Sequence, residues 1–313
     1  MADTVHSGRP INRPESVLPH VSIIIPFQGH KEELQIMLQK LDAQEYPGGS
    51  VEVICVDNGT EPSVSAEELK TEKVKVILLS ERNRLNSPYS ARNRGVEKAT
   101  GDILIFVDAN SIPEAGWLRE GVRCMIQSGA DLVAGHVNFI FDHPPEGAEI
   151  VDALTSINQK KAVDERGVAY TANLFVRREL FSTSGLFEEG VRSGGDVRWT
   201  ARAVQGGARI VYCDQATIRK YARKASQLYK KKRRTGRGYY YTWITEAERR
   251  PWWYNMLRSL KPPAPSRLRN AWMERYGEPM PGSLLSAWFF FYTAAVTEQL
   301  AFVREYFQNR QSR

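Results

Sequence analysis

The sequence predicts an α/β protein built on a mostly parallel β-sheet with helices on both faces. Three observations carry that expectation. Four short runs, VSIIIPF at 21–27, VEVICVD at 51–57, VKVILLS at 74–80 and DILIFVD at 102–108, are apolar almost throughout, as strands buried on both faces are. Segments with helical spacing separate them, and strand–helix alternation builds a parallel sheet. Pro26, Asp57, Ser80 and Asp108 stand at the carboxyl ends of these runs, where open sheets of this kind bind ligands.

The elements follow in order. Pro26 cannot donate to a strand ladder, so it marks the expected end of the first strand. In 31–44, Leu34, Met37, Leu38 and Leu41 recur at helical spacing, and 88–99 reads as a second helix. GWLREGVRCMIQSG (116–129) reads as a helix and ADLVAGHVNFIF (130–141) as a strand. The piece 142–168 is polar and irregular, the pattern of a mobile loop carrying a helix. Residues 191–215 read as loop, helix, glycine stop and strand, with Asp196 at or near the helix start, where the dipole favours an acid.

Bulk properties narrow the classes. A chain of 313 residues, 42% hydrophobic and 25% charged, suits one large domain or one domain with an appendage. Its net charge of +7 suits anionic partners. Three dispersed cysteines, Cys55, Cys124 and Cys213, form neither a disulfide framework nor a zinc spacing, which implies a reducing, cytosolic setting. The five histidines show no ligand spacing. Residues 1–20 are polar, contain three prolines and lack a signal peptide's apolar core, as a flexible arm does. Residues 215–245 hold ten Lys or Arg and no acid, and five of the seven tryptophans lie beyond residue 240.

Five segments in order, VSIIIPFQGH, EVICVDNGT, ARNRGVEKATGDILIFVDAN, TANLFVRRELFSTSGLFEE and GGDVRWTARAVQGG, resemble a family-two glycosyltransferase of the GT-A fold, across roughly residues 20–240. The resemblance implies an inverting enzyme of the hexosyltransferase class that uses a nucleotide-sugar donor, by family frequency a UDP-sugar. It implies that Pro26 and Phe27 line the base pocket and Asp57 hydrogen-bonds the base. Arg92, with Asn93, would contact nucleotide or sugar. Asp108, with Ala109 and Asn110, would lie by the ribose and diphosphate. Asn173 would lie near the transferred sugar, and Asp196 would match the catalytic base. An inverting transfer needs such a carboxylate to take the acceptor hydroxyl's proton, and a positive group to stabilise the departing diphosphate. The expected organisation is an arm (1–20), a catalytic domain (21–240) and a helical, aromatic-rich C-terminal region (241–313).

The chain departs from the family's pattern at the metal. The usual Asp-x-Asp becomes Asp108-Ala109-Asn110, and aligning IRKYARKAS with the family's last motif puts Lys220 where a histidine is usual. Mg2+ and Mn2+ prefer carboxylate oxygens, and an ammonium is no ligand. One expectation is that Lys220, with Arg223, neutralises the diphosphate without a metal; a weaker one-carboxylate site on Asp108 for Mg2+ or Mn2+ stays open. A catalytically silent member that binds nucleotide sugar or scaffolds an assembly is the alternative. Plainer roles also stand: turn caps for Asp57 and Asp108, a helix cap for Asp196, a solvated helix charge for Arg92.

KKKRR (230–234) precedes GRGYYYTW and PWWYNMLRSLKPP. Basic charge beside Trp and Tyr marks a membrane interface and would also suit single-stranded nucleic acid, which is not expected as the main partner. SLLSAWFFFYTAAVT (283–297) carries no charge for fifteen residues, short of the ~20 a spanning helix needs. It suits an in-plane helix, a packed helix or a homo-oligomer contact. The expected place is cytoplasmic, peripheral at the inner membrane face, and the expected acceptor is a saccharide or lipid-linked saccharide in polysaccharide or glycolipid synthesis.

Overall fold

The computed structural model describes residues 18–243 apart from 86 and 192, then 253, 256, 257 and 260–310. Eight strands form one mixed sheet: β1 (Val21–Phe27), β2 (Val51–Asp57), β3 (Lys75–Ser80), β4 (Ile103–Val107), β5 (Ile112–Pro113), β6 (Leu132–Ile140), β7 (Asn173–Arg177) and β8 (Ile210–Tyr221), in the order β3-β2-β1-β4-β7-β6-β8-β5. The β1–β2, β1–β4, β2–β3 and β6–β8 pairs are parallel, whereas β7 runs antiparallel to β4 and β6, and β5 to β8. Pro26 does not end β1. The strand continues to Phe27 because β4 pairs only with Val21–Ile24, so beyond that point β1 has a partner on the β2 side alone.

Both faces are covered, as the unbroken apolar runs require. Along β1, Val21, Ile23 and Ile25 enter one core with Leu34, Met37, Leu38 and Leu41 of α1 (Lys31–Asp42) and with Trp117, Val122 and Met125 of α3 (Trp117–Ser128). Ile24 enters the other, with Tyr89 and Ala91 of α2 (Pro88–Lys98) and Trp199 and Ala203 of α7 (Gly195–Gln205). Alternate side chains point to opposite faces, so one strand serves two cores.

The stretch 142–168 is not a mobile loop. It holds α4 (Gly147–Thr155) and α5 (Gln159–Arg166), and α4 is buried from Gly147 to Ala153. Its backbone start is tied by the Glu146 N–H to Glu149 Oε2, at 2.9 Å. A short α6 (Leu180–Ser184) precedes α7. The tail forms α8 (Ala225–Trp243), α9 (Ser266–Tyr276) and α10 (Leu284–Arg310). The domain boundary expected at residue 240 falls inside α8, and Leu268, Trp272 and Ala287 of the tail lie within the α1–α3 core. Ala148 and Val151 of α4, Leu228 of α8 and Ala294 of α10 close a smaller third cluster. Among the described residues no helix is long and apolar enough to cross a membrane. Most of the aromatic run 243–259 lies outside the described residues.

Candidate active site

The carboxyl ends of β1, β2 and β4 meet at one edge of the sheet, and the acids foreseen there arrive together with cations. Asp57, the last residue of β2, is buried. Its Oδ1 accepts the Thr60 N–H at 2.8 Å and its Oδ2 pairs with Arg82 at 3.0 Å. Phe27 lies opposite Asp57 in the β1–β2 register, beside half-buried Pro26.

Asp108 follows β4 directly, its side chain 32% exposed. Arg92 Nη2 donates to its Oδ1 at 3.0 Å, and Lys220 Nζ to its Oδ2 at 2.7 Å. α2 brings Arg92 there: Ser87 caps that helix by accepting the Ser90 N–H, and Pro88 fills its first turn, where a missing N–H costs nothing. Lys220 comes from β8, whose parallel register with β6 sets it opposite Phe139, and only 1% of the residue is exposed. Burial works to raise the pKa of Asp108, but the charges of Lys220 and Arg92 outweigh it and hold the carboxyl well below its usual range. Burial lowers the Lys220 pKa against the opposing pull of Asp108. Among the described residues, Arg92 Nε and Ser111 Oγ are buried without a hydrogen-bond partner, and unmet donors of this kind suit an incoming anionic oxygen. Ala109 is buried and Asn110 half-buried in the turn toward β5.

This donor set does not fit a divalent cation. Both Asp108 oxygens are held by cations, Asn110 supplies only a neutral amide, and no cluster of three His, Cys, Asp or Glu side chains among the described residues could hold a metal.

Asp196 sits in the first turn of α7, which Gly194 opens at φ 83. It is 9% exposed. Oδ1 accepts the Tyr89 hydroxyl at 3.0 Å and the Val197 N–H at 3.0 Å, while Oδ2 accepts the Thr171 N–H at 3.1 Å and hydroxyl at 3.2 Å. Tyr89 joins the two acids: its hydroxyl holds Asp196, and the Arg92 guanidinium that holds Asp108 lies 5.5 Å from its ring centre. Burial, helped by the Asp196 charge, pushes the Tyr89 phenol far up and keeps it a donor. The glycine before Asp196 now has a reason. A Cβ on Gly195 would come within 2.8 Å of the Tyr89 ring, so a side chain at that position would displace the tyrosine.

Two expected ligand contacts are not presented to the crevice. Asn173 is fully buried, its Oδ1 accepting from Trp117 Nε1 at 2.9 Å and its Nδ2 donating to His136 O and Ala216 O, each at 2.8 Å. The amide is occupied in tying β7 to β6, β8 and α3, so it has no surface for a sugar. Arg223 turns to Asp152 of α4 instead of toward Asp108, with its N–H and Nη1 on Oδ2 at 3.1 and 3.2 Å. Its charge still helps lower the pKa of Asp108. Lys231 shares Asp152 at 3.2 Å. Despite its burial, Asp152 is held down to about 2 by the Lys231 and Arg223 charges, while burial pulls Lys231 down to about 7. Asn93 donates to Phe187 O and Glu189 Oε1, bracing the loop before α7.

Tyr89, Thr171, Arg82 and Asp152 are the participants that sequence reasoning missed. Tyr89 was within reach, one turn before Arg92 in a segment already singled out. The other three carry no local signal.

Comparison with known proteins agrees with the fold. The sequence model described as glycosyl transferase family 2 matches residues 22–184. The chain is 36% identical over 233 residues to the glycosyltransferase AglE of Haloferax volcanii, covering 74% of this chain and 76% of that protein. It is 25% identical to the pre-mycofactocin glycosyltransferase of Mycobacterium tuberculosis, over 64% of this chain and 43% of the relative. Among solved structures, the Pyrobaculum calidifontis mannosyltransferase PcManGT, determined with GDP-Man and Mn2+, aligns with a TM-score of 0.55 at 17% identity, covering 97% of this chain and 92% of the other. S. aureus TarS 1–349 with UDP-GlcNAc aligns at 0.53 and 15%, covering 94% and 92%. These neighbours share the GT-A fold. The chain is a glycosyltransferase and belongs to glycosyl transferase family 2.

Proposed function

We propose that the chain transfers a sugar, with inversion, from a UDP-sugar to a saccharide acceptor, free or lipid-linked, and that the leaving diphosphate is neutralised by side chains. The observation that carries this reading is Asp108 held between Arg92 and Lys220, with Arg92 Nε unmet beside it. Two cations against one carboxylate leave a net positive charge where a diphosphate oxygen would enter. Asp57 and Phe27, on the neighbouring strand ends, are the candidates to receive the base.

In the transfer the acceptor oxygen attacks the anomeric carbon as Asp196 takes its proton. The bond from that carbon to the phosphate oxygen breaks, and its electron pair stays on the diphosphate, which Lys220 and Arg92 stabilise. Four hydrogen bonds fix the Asp196 carboxylate, which spares its reorientation during the reaction. The exposed cations Lys230, Arg233 and Arg234 of α8 are the surface that would meet anionic headgroups carrying a lipid-linked acceptor.

The test is a thermal-shift panel of UDP- and GDP-sugars with Mg2+, with Mn2+ and with EDTA, followed by turnover of the stabilising donor by wild type and Asp196→Asn. Stabilisation by a UDP-sugar that survives EDTA is expected, with transfer falling by ~10²–10⁴-fold in the variant. Stabilisation only with metal overturns the metal-free part, and undiminished transfer by Asp196→Asn overturns the base assignment.

A further inference from the structure

Two glycines, Gly236 and Gly238, stand in the interior of α8. Glycine is the least favourable helix residue after proline, so each calls for a reason, and each has one. A Cβ on Gly236 would lie 2.1 Å from Glu298 O of α10, and Lys232 and Thr235 bond the Glu298 carboxylate beside it. A Cβ on Gly238 would lie 2.7 Å from Ser193 Cβ and 3.0 Å from Ser193 O. Gly236 therefore joins α8 to α10, whereas Gly238 brings the α8 backbone against the segment that leads into Asp196. That segment is held from both sides, since Gly195 lies as close to the Tyr89 ring as Ser193 does to α8. Between them Gly194, at φ 83, opens α7.

We infer that Gly238 is a positioning residue for the catalytic base: by admitting the α8 backbone to Ser193, it sets where the first turn of α7, and with it Asp196, stands in the crevice. The inference rests on the roles proposed above for Asp196 and Lys220. α8 is the fixed member of the contact. Leu228 is fully buried, Lys231 is paired with buried Asp152, and Gly236 is closed against α10. Ser193 and Gly194 are half-buried loop residues, so a side chain at 238 displaces the loop and not the helix. Carbon atoms in contact need ~3.5–4.0 Å, so relieving an approach of 2.7 Å takes a shift of about 1 Å. A misplacement of that size at a reacting group costs on the order of 10²-fold in rate.

The same helix reaches the other end of the chemistry. Lys231 and Gly238 share one face of α8, about 10 Å apart at ~1.5 Å per residue. At the first, Asp152 also holds Arg223, which follows Lys220 closely on the chain; at the second, Ser193 precedes Asp196 as closely. One rigid element thus spaces the leaving-group cation from the base, which gives a segment beyond the family match a part in the reaction.

The experiment measures melting of the full chain and steady-state turnover of the nucleotide sugar that stabilises it. Gly238→Ala is expected to lower kcat at least ~10-fold, with donor KM within about threefold and donor-induced stabilisation retained. Adding Ser193→Gly removes the opposing Cβ and should recover most of that loss. Gly236→Ala, which strains the α10 contact instead, should lower Tm without the selective loss of kcat. Placed on Asp196→Asn, Gly238→Ala should cost nothing further, because its effect passes through that carboxylate. Wild-type kcat in Gly238→Ala, a loss that Ser193→Gly does not recover, an equal kcat loss in Gly236→Ala, or a further loss on Asp196→Asn overturns the proposal. A Gly238→Ala chain without a cooperative melt makes the contact purely structural and overturns it too. Full transfer by Asp196→Asn refutes the base itself, whereas loss there with full transfer by Gly238→Ala refutes only the positioning role.

Discussion

Lys220→Met isolates the feature on which the metal-free reading rests. The ammonium lies 2.7 Å from Asp108 and is almost wholly buried. Removing one member of a buried ion pair costs ~3–5 kcal/mol, but Asp108 is 32% exposed and keeps Arg92, so about 2 kcal/mol is the appropriate scale once solvent screening is counted. For a chain of this size that lowers Tm by roughly 4 °C. Activity suffers more. Loss of one preorganised charge at a leaving group costs ~10²–10³ in kcat, and here donor binding weakens too. The assay is steady-state transfer with Mg2+ and with EDTA, alongside a melting curve. The pH dependence adds a check with a definite sign. A carboxyl held below its ordinary range contributes stability above ~3.9 that is lost as pH falls through the folded-state value, so the variant should lose stability at a higher pH than wild type. Transfer by Lys220→Met within about threefold of wild type, or wild-type transfer abolished by EDTA, would refute the reasoning.

Further outcomes follow from the same contacts. Tyr89→Phe removes one hydrogen bond from Asp196 and should cut kcat by about tenfold, equivalent to ~1–1.5 kcal/mol, with donor affinity, read by thermal shift, little changed. Asn173→Ala should cost several kcal/mol, at ~1–3 kcal/mol for each buried partner left unmet, and give poorly folded chain, read as loss of a cooperative melt. Burial holds Lys231 at about 7, while an unfolded lysine titrates near ~10.4. Between those values the unfolded chain binds more protons, so stability rises with pH by up to ~1.4 kcal/mol per unit; denaturant titrations across that range check it, and Lys231→Met should flatten the slope.

The first half of the sheet was legible because β1, β2, β3 and β4 are apolar runs too short to be helices, and the acids at their ends could be placed by topology alone. The rest was hidden for physical reasons. β7 has only five residues, and its antiparallel direction is decided by the neighbours it joins. β8 looked as if it stopped near residue 215, because its pairing with β6 shifts between Gly135 and Val137 and the polar QATIRK segment continues it. The piece 142–168 looked polar and irregular in sequence, yet Glu149 and Asp152 are buried within α4, tied to Glu146 N–H and to Arg223 and Lys231. At the site, Asp108 and Lys220 could be paired by analogy with a missing metal. Tyr89 and Asp196 could not, since 107 residues separate them and nothing local announces the bond.

Trp272, deep in the α1–α3 core, bears on how this chain could be taken apart. The family match ends at residue 184, before Asp196 and Lys220, and the tail that follows fills core volume. A fragment cut at the match, or at residue 240 within α8, would leave a void the size of an indole and expose the sheet it covers. The smallest autonomous unit therefore reaches at least Ala287. Chimeras made to exchange donor or acceptor preference between relatives should carry β8 through α10 as one inherited block.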